Sequence, residues 1–163
     1  MFIMKKIFFI CVLVYTANCF SQKTIPTINL TTLDGKSVPI ESQISKDKIT
    51  VLSFWATWCV PCINELDVIS DVYDEWQDET NVEIIAIATD DSRTQKRIKP
   101  LINGKGWEYL VLLDKNQELK RALNISLVPH TIVVKGNEIL YRHTGYSPGV
   151  EDELYEIIKK HSK

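Results

Sequence analysis

One junction constrains the fold more than any other part of the chain: Ile49-Thr50-Val51-Leu52-Ser53-Phe54-Trp55 runs through Ala56-Thr57-Trp58 into Cys59-Val60-Pro61-Cys62. Ile49 to Trp55 carries no charge and is rich in β-branched and aromatic residues, the composition of a buried strand central in a sheet. Beyond Cys62, Ile63, Leu66, Ile69, Tyr73 and Trp76 recur every three or four residues with acids between them, the period of an amphipathic helix. Trp55 and Trp76 read as core residues. A CxxC pair thus sits where a buried strand turns into a helix.

By itself a CxxC serves structure, metal binding or redox chemistry. As a staple it closes a very short loop, which stabilises little through chain entropy. Structural zinc takes four ligands as a rule, and the three histidines (His130, His143, His161) are scattered. The redox alternative has a physical basis in the junction itself. A cysteine at a helix N-terminus faces unpaired N–H groups and the positive end of the helix dipole, which favour the thiolate, the nucleophilic form. Cys62 lies one turn further on, within reach of a mixed disulfide on Cys59. Pro61 falls in the first helical turn, where its missing N–H costs nothing. Trp58 would shield the sulfurs and offer a flat apolar surface to a partner.

The rest of the chain reads as one domain without repeats or linkers. Ile28 to Thr32 and Lys36 to Ile40 flank Leu33-Asp34-Gly35, a hairpin signal. Val82 to Ala88 predicts a second buried strand. Asp90 to Gly106 has helical character that Pro100 is expected to break or kink. Tyr109 to Leu113 predicts a short strand, and Leu119, Ala122 and Leu123 a short helix. Thr131 to Val134 and Glu138 to Tyr141, joined by Lys135-Gly136-Asn137, predict a second hairpin. Leu154, Ile157, Ile158 and His161 mark a C-terminal amphipathic helix. Early strands alternating with helices imply a parallel βαβ core, and the late hairpin adds antiparallel strands: an α/β fold with a mixed central sheet flanked by helices and an N-terminal β-hairpin.

Composition is that of an ordinary globular protein, 45% hydrophobic and 25% charged, with a net charge of −2. No basic block is present to follow a phosphate backbone, which speaks against nucleic-acid binding. Residues 1–21 have the layout of a secretory signal peptide: Lys5 and Lys6, an apolar run from Ile7 to Tyr15, then small and polar residues to Ser21. That run is shorter than the ~20 residues a bilayer span needs. Met4 is a second candidate start. Cleavage near Ser21 would leave residues 22–163 as the mature domain; Ala17-Asn18-Cys19 offers another site, and lipid attachment at Cys19 a third reading. Of the four cysteines, Cys11 and Cys19 lie in this segment, so the mature domain would keep only Cys59 and Cys62.

Phe54 to Cys62 (FWATWCVPC) strongly resembles the thioredoxin superfamily, and more narrowly the TlpA/ResA group of exported thioredoxin-like reductases. Ile28 to Lys36 resembles that group's N-terminal hairpin. Glu65 matches its active-site glutamate, and Val128-Pro129-His130-Thr131 matches the superfamily's cis-proline segment, which faces the cysteines and pairs with the substrate backbone. The resemblance implies a thioredoxin-like fold and a protein-disulfide reductase. Cys59, Cys62 and Glu65 would carry the chemistry, with Trp58, Pro61, Val128, Pro129 and His130 meeting the substrate, and with no cofactor or metal. Disulfide-bearing proteins would be the substrates, the haem-attachment cysteines of apocytochromes c among them, and a membrane thiol-reductant relay the electron donor. The expected place of action is periplasmic or otherwise extracytoplasmic. Two departures matter. Cytosolic thioredoxins carry a buried aspartate six residues before the first cysteine; Ser53 stands there, which leaves Glu65 as candidate proton acceptor. His130 follows the proline where threonine is common, and a protonated imidazole there would favour a thiolate; the plainer alternative is that it packs or faces solvent. For Glu65 the plain alternative is a solvated acid on the first turns of a helix, and for Pro129 a trans turn proline.

Three rival activities are disfavoured by the motif. Disulfide-inserting oxidases often carry a histidine between the cysteines and a large helical insertion, neither of which Val60-Pro61 and this short chain supply. Thioredoxin-fold copper carriers usually space their cysteines by three residues. A peroxidase would want one peroxidatic cysteine in a Pro- and Thr-rich turn, which is absent.

Overall fold

The computed structural model describes residues 23–162. The expected signal segment, with Cys11 and Cys19, lies outside them. The strands are β1 (Asn29–Thr32), β2 (Ser37–Pro39), β3 (Ile49–Trp55), β4 (Glu83–Ala88), β5 (Leu110–Leu113), β6 (His130–Lys135) and β7 (Glu138–Thr144); the helices are α1 (Val60–Thr80), α2 (Ile98–Lys105), α3 (Glu118–Ala122) and α4 (Val150–His161). They form one seven-stranded sheet in the order β2-β1-β5-β4-β3-β6-β7. β3, β4 and β5 are parallel neighbours, while β6, β7, β1 and β2 join antiparallel. The expected mixed α/β sheet is present. Among the described residues no helix is long and apolar enough to cross a membrane.

β3 lies at the centre and is buried along its whole length. Side chains alternate between faces along a strand, and two apolar layers result. Val51 and Trp55 join Leu66, Ile69, Tyr73 and Trp76 of α1, Ile98 and Ile102 of α2, and Leu154 and Ile158 of α4. Leu52 and Phe54 point the other way, toward Leu30, Ile40, Leu119 and Leu123. Trp55 and Trp76 are both buried. The N-terminal hairpin turns at Gly35, whose φ of 90° suits a residue without Cβ, and extends the sheet by pairing β1 with β5.

Two elements differ from the sequence pattern. The segment from Asp90 to Gly106 is not one broken helix: turns and a 3-10 turn (Gln95–Arg97) lead into α2, and Pro100 sits in the first turn of that helix. N–H groups there have no partner one turn back, so proline starts this helix rather than breaking it. β7 runs beyond Tyr141 to Thr144. As a half-buried edge strand it carries Arg142, His143 and Thr144, polar residues that hide the continuation from a hydrophobicity reading.

α1 is pinned to the sheet at the level of the cysteines. Leu66 is fully buried, and its carbonyl accepts a hydrogen bond from Tyr109 Oη at 2.7 Å. Truncating it should loosen the helix that carries the site. Leu66→Ala is expected to destabilise the domain by about 3 kcal/mol, read from urea unfolding; a loss well under 1 kcal/mol would show that the contact does not anchor α1.

Candidate active site

β3 ends at Trp55, whose carbonyl accepts hydrogen bonds from Thr89 N–H at 2.8 Å and Thr89 Oγ1 at 3.0 Å. The next residue after Thr89, Asp90, is buried, and its carboxylate receives Thr57 N–H at 2.9 Å and Thr57 Oγ1 at 2.5 Å. A carboxylate anchored beyond β4 therefore holds the loop that delivers the cysteines. Cys59 N–H then donates to Ala56 carbonyl at 3.0 Å, and Cys59 becomes the N-cap of α1. Pro61 occupies the first turn, as its missing N–H allows. No acidic side chain lies in that turn, so nothing there offsets the positive end of the helix.

Cys59 and Cys62 are joined by a disulfide, with Cα atoms 5.3 Å apart. Cys59 is 5% exposed and Cys62 fully buried. Cys59 is thus the less covered of the two. Around it lie exposed apolar side chains: Trp58 (58%) and Val60 (65%) flank Cys59 in the chain, and Leu127 (69%) precedes Val128.

The opposite wall comes from the start of β6. The Val128–Pro129 bond is cis, Pro129 is buried and Val128 half-buried. The antiparallel register of β3 on β6 sets Phe54 opposite His130 and Ser53 opposite Thr131. Residues directly opposite in such a pair share a face, so Ser53 and Thr131 both face α1. There Thr131 Oγ1 donates to Glu65 Oε1 at 2.8 Å. One hydrogen bond links the proline segment to the cysteine helix.

Glu65 is not the solvated acid of an exposed helix turn. It is 2% exposed, and its Oε2 has no partner among the described residues. Burial pushes its carboxyl up to about 7; the Thr131 bond works against this, and the charge of Glu151 adds to it. A buried acid is thus present although Ser53 fills the strand position where cytosolic thioredoxins have aspartate: it comes from the helix, over the Ser53–Thr131 pair. His130 is half-buried, with Nδ1 2.7 Å from Thr144 Oγ1. Burial, then the positive charges of Arg142 and His143, push its pKa down to about 4, so at neutral pH the ring is neutral. Of the two readings of His130, the neutral, packed ring is the one this burial favours.

The structure brings Cys59, Cys62, Glu65, Pro61 and the Val128–Pro129–His130 segment to one end of the sheet, with Trp58 on the rim. It adds two residues that the sequence did not single out for a role. Asp90 follows a buried strand directly, a position that could have drawn attention. Thr131 belonged to the quoted proline segment, but only the β3–β6 register turns it toward Glu65.

Comparison with known proteins agrees with this geometry. Residues 22–143 match the model of the AhpC/TSA family. The thiol-disulfide oxidoreductase ResA of Bacillus thuringiensis (strain Al Hakam) is 30% identical over 139 residues, covering 85% of this chain and 76% of that protein. Among solved structures, an uncharacterised thioredoxin-like protein from Porphyromonas gingivalis superposes with a TM-score of 0.74 at 42% identity, covering 88% of this chain and 93% of that one. StoA from Bacillus subtilis superposes with a TM-score of 0.65 at 22% identity, covering 83% and 98%, a likeness of fold. The Cys59–Cys62 disulfide at the head of α1, the cis Val128–Pro129 bond before β6 and these relatives together place the chain in the AhpC/TSA family, with a thioredoxin-like fold, as a thiol-disulfide oxidoreductase of the ResA type.

Proposed function

We propose that the protein is an exported reductase of protein disulfides, in which Cys59 attacks, Cys62 resolves and Glu65 takes the proton. The observation that carries this is the asymmetry of burial at the head of α1: Cys59 slightly exposed, Cys62 fully covered, and a buried carboxyl one turn further on the same helix. In the reduced form the Cys59 thiolate attacks a substrate disulfide, forming a mixed disulfide and releasing one substrate thiolate. Glu65 accepts the proton of Cys62. The Cys62 thiolate then attacks Cys59 Sγ; the Cys59–Cys62 bond forms and the second substrate thiolate leaves. Two electrons pass to the substrate, and an external dithiol, supplied by a membrane relay, restores the pair. Trp58 and Pro61 on one side and Val128, Pro129 and His130 on the other receive the substrate. Among the described residues, neither N–H nor C=O of Val128 enters a backbone hydrogen bond of a turn or loop, which leaves that edge to an extended peptide. Residues 1–21 as an export signal and, by the resemblance to the ResA group, apocytochrome c cysteines as substrates complete the reading.

The reduction potential of the Cys59–Cys62 pair tests the direction of electron flow. A value near or below about −250 mV, close to thioredoxin, is expected; a value near about −120 mV, like DsbA, would make this a disulfide donor and overturn the proposal. The division of labour predicts different fates for two variants. Cys62→Ser should accumulate a mixed disulfide with a disulfide-containing peptide, visible by mass spectrometry, whereas Cys59→Ser should form none; equal trapping by both would contradict the assignment of attacker and resolver.

Glu65 also links folding to pH. Its carboxyl titrates at about 7 in the folded chain against 4.5 as the ordinary value, so the folded state binds the proton more tightly. Its contribution is whole below about pH 4.5 and is lost as pH rises through about 7. Between about pH 5 and about pH 8 the oxidised protein should therefore lose roughly 2–3 kcal/mol that Glu65→Gln, a neutral isostere, does not lose. Parallel urea-unfolding profiles for the two proteins would show that Glu65 is ionised in the fold.

A further inference from the structure

Beside Glu65, with neither cysteine in its lining, lies a small cavity of about 10 Å³, the space of a single water. Its polar lining is Glu65 from α1, Thr131 from β6, Tyr141 and His143 from β7 and Glu151 from α4, closed by aliphatic side chains of α1 and α4. Glu65 Oε1 is occupied by Thr131, whereas Oε2 is buried and unpartnered among the described residues. A buried carboxyl oxygen without a partner is costly, and a polar site with room for one water is where such a molecule is held. His143 and Glu151 are only half-buried, so they form the outer wall of the same cavity.

We propose that this cavity is the proton exit of the active site: a water between Glu65 and His143 carries the proton taken from Cys62 outward to the His143 imidazole, and from there to solvent. The inference rests on the reading of Glu65 as proton acceptor. Cys62 is fully buried, and in the mixed disulfide the substrate is bonded to Cys59 beside it. A proton received by Glu65 during resolution therefore needs a path away from the substrate. His143 lines the cavity, and its hydrogen bonding sets which nitrogen is basic. Its ring lies parallel to Tyr141 (interplanar angle 8°), with Nδ1 3.5 Å from Tyr141 Oη. Tyr141 donates its own proton to Glu153 Oε1 at 3.0 Å, so its oxygen is left to accept from Nδ1–H, and Nε2 is the basic nitrogen. The ionisable groups facing Glu65 are Tyr141 and His143 on β7, Tyr146 in the following loop and Glu151 on α4, and Cys62 precedes it by three residues on its own helix. The Glu151 charge raises the carboxyl further, which keeps Glu65 able to hold a proton and pass it on near neutral pH. In each turnover the proton leaves Cys62 Sγ, rests on Glu65 and ends in water. Cys62 Sγ bonds to Cys59 Sγ as the substrate thiolate departs.

The test is the resolution step, read with reduced protein and a symmetrical nitrobenzoate disulfide whose thiolate is coloured. The first thiolate released reports attack by Cys59 and the second reports resolution by Cys62. At neutral pH, Glu65→Gln is expected to slow the second release about a hundredfold and His143→Ala about tenfold, with the first release unchanged in His143→Ala. Free imidazole should restore the rate of His143→Ala but not that of Glu65→Gln. His143→Gln, which keeps most of the side-chain volume but has no basic nitrogen, should be as slow as the alanine variant and guards against misfolding as the cause. If Glu65→Gln is slow and His143→Ala is not, or is slow without rescue, the proton exit is wrong while the role of Glu65 stands. If Glu65→Gln also resolves at the normal rate, both fail.

Discussion

The antiparallel register of β3 on β6 is the constraint on which the site depends. It sets Ser53 opposite Thr131 and Phe54 opposite His130, and so fixes where the cis-proline segment ends relative to the loop that leaves β3. A slip by one residue would turn Thr131 away from α1, because side chains alternate faces. The bond to Glu65 would go with it. The parallel pairing of β3 with β4 does the same on the other flank: it brings Asp90 beside Thr57 and steadies the approach to Cys59. The cysteines are held between two strand registers rather than by their own short loop.

Burial then sets the charges near the sulfurs. Glu65 is pushed up toward neutrality and His130 is pushed down, so neither of these two groups carries a fixed charge of the sign its residue type suggests at neutral pH. The element left to favour a thiolate on Cys59 is the N-terminus of α1, with its free N–H groups and no acid in the first turn. A carboxyl that titrates near neutrality can accept and return a proton within a turnover, which a solvated glutamate does poorly. The surface is different in kind. Trp58, Val60 and Leu127 expose apolar area around a nearly covered sulfur, suited to a partner that presents an extended segment rather than a charge.

Much of this was legible from residues 49–76 alone. A charge-free run, a CxxC and a helical period imply a strand, a redox pair at a helix N-terminus and an amphipathic helix, because each signal is local and strong. The strands around Val82–Ala88 and Thr131–Val134 and the terminal helix were readable for the same reason. Pro100 was misread since its effect depends on the helix starting at Ile98, and a polar edge strand such as the end of β7 has no hydrophobic alternation to betray it.

What the sequence determined by itself was the chemistry available: two cysteines one helical turn apart, a glutamate one turn further and a proline segment far along the chain. These follow from covalent spacing and local propensity. Whether Glu65 is solvated or buried, whether His130 is charged, and whether Thr131, Asp90 and His143 touch the site at all were decided only by tertiary structure. Those properties arise from which strands pair and in what register, and from how much water the packed helices exclude, long-range effects that no stretch of sequence contains.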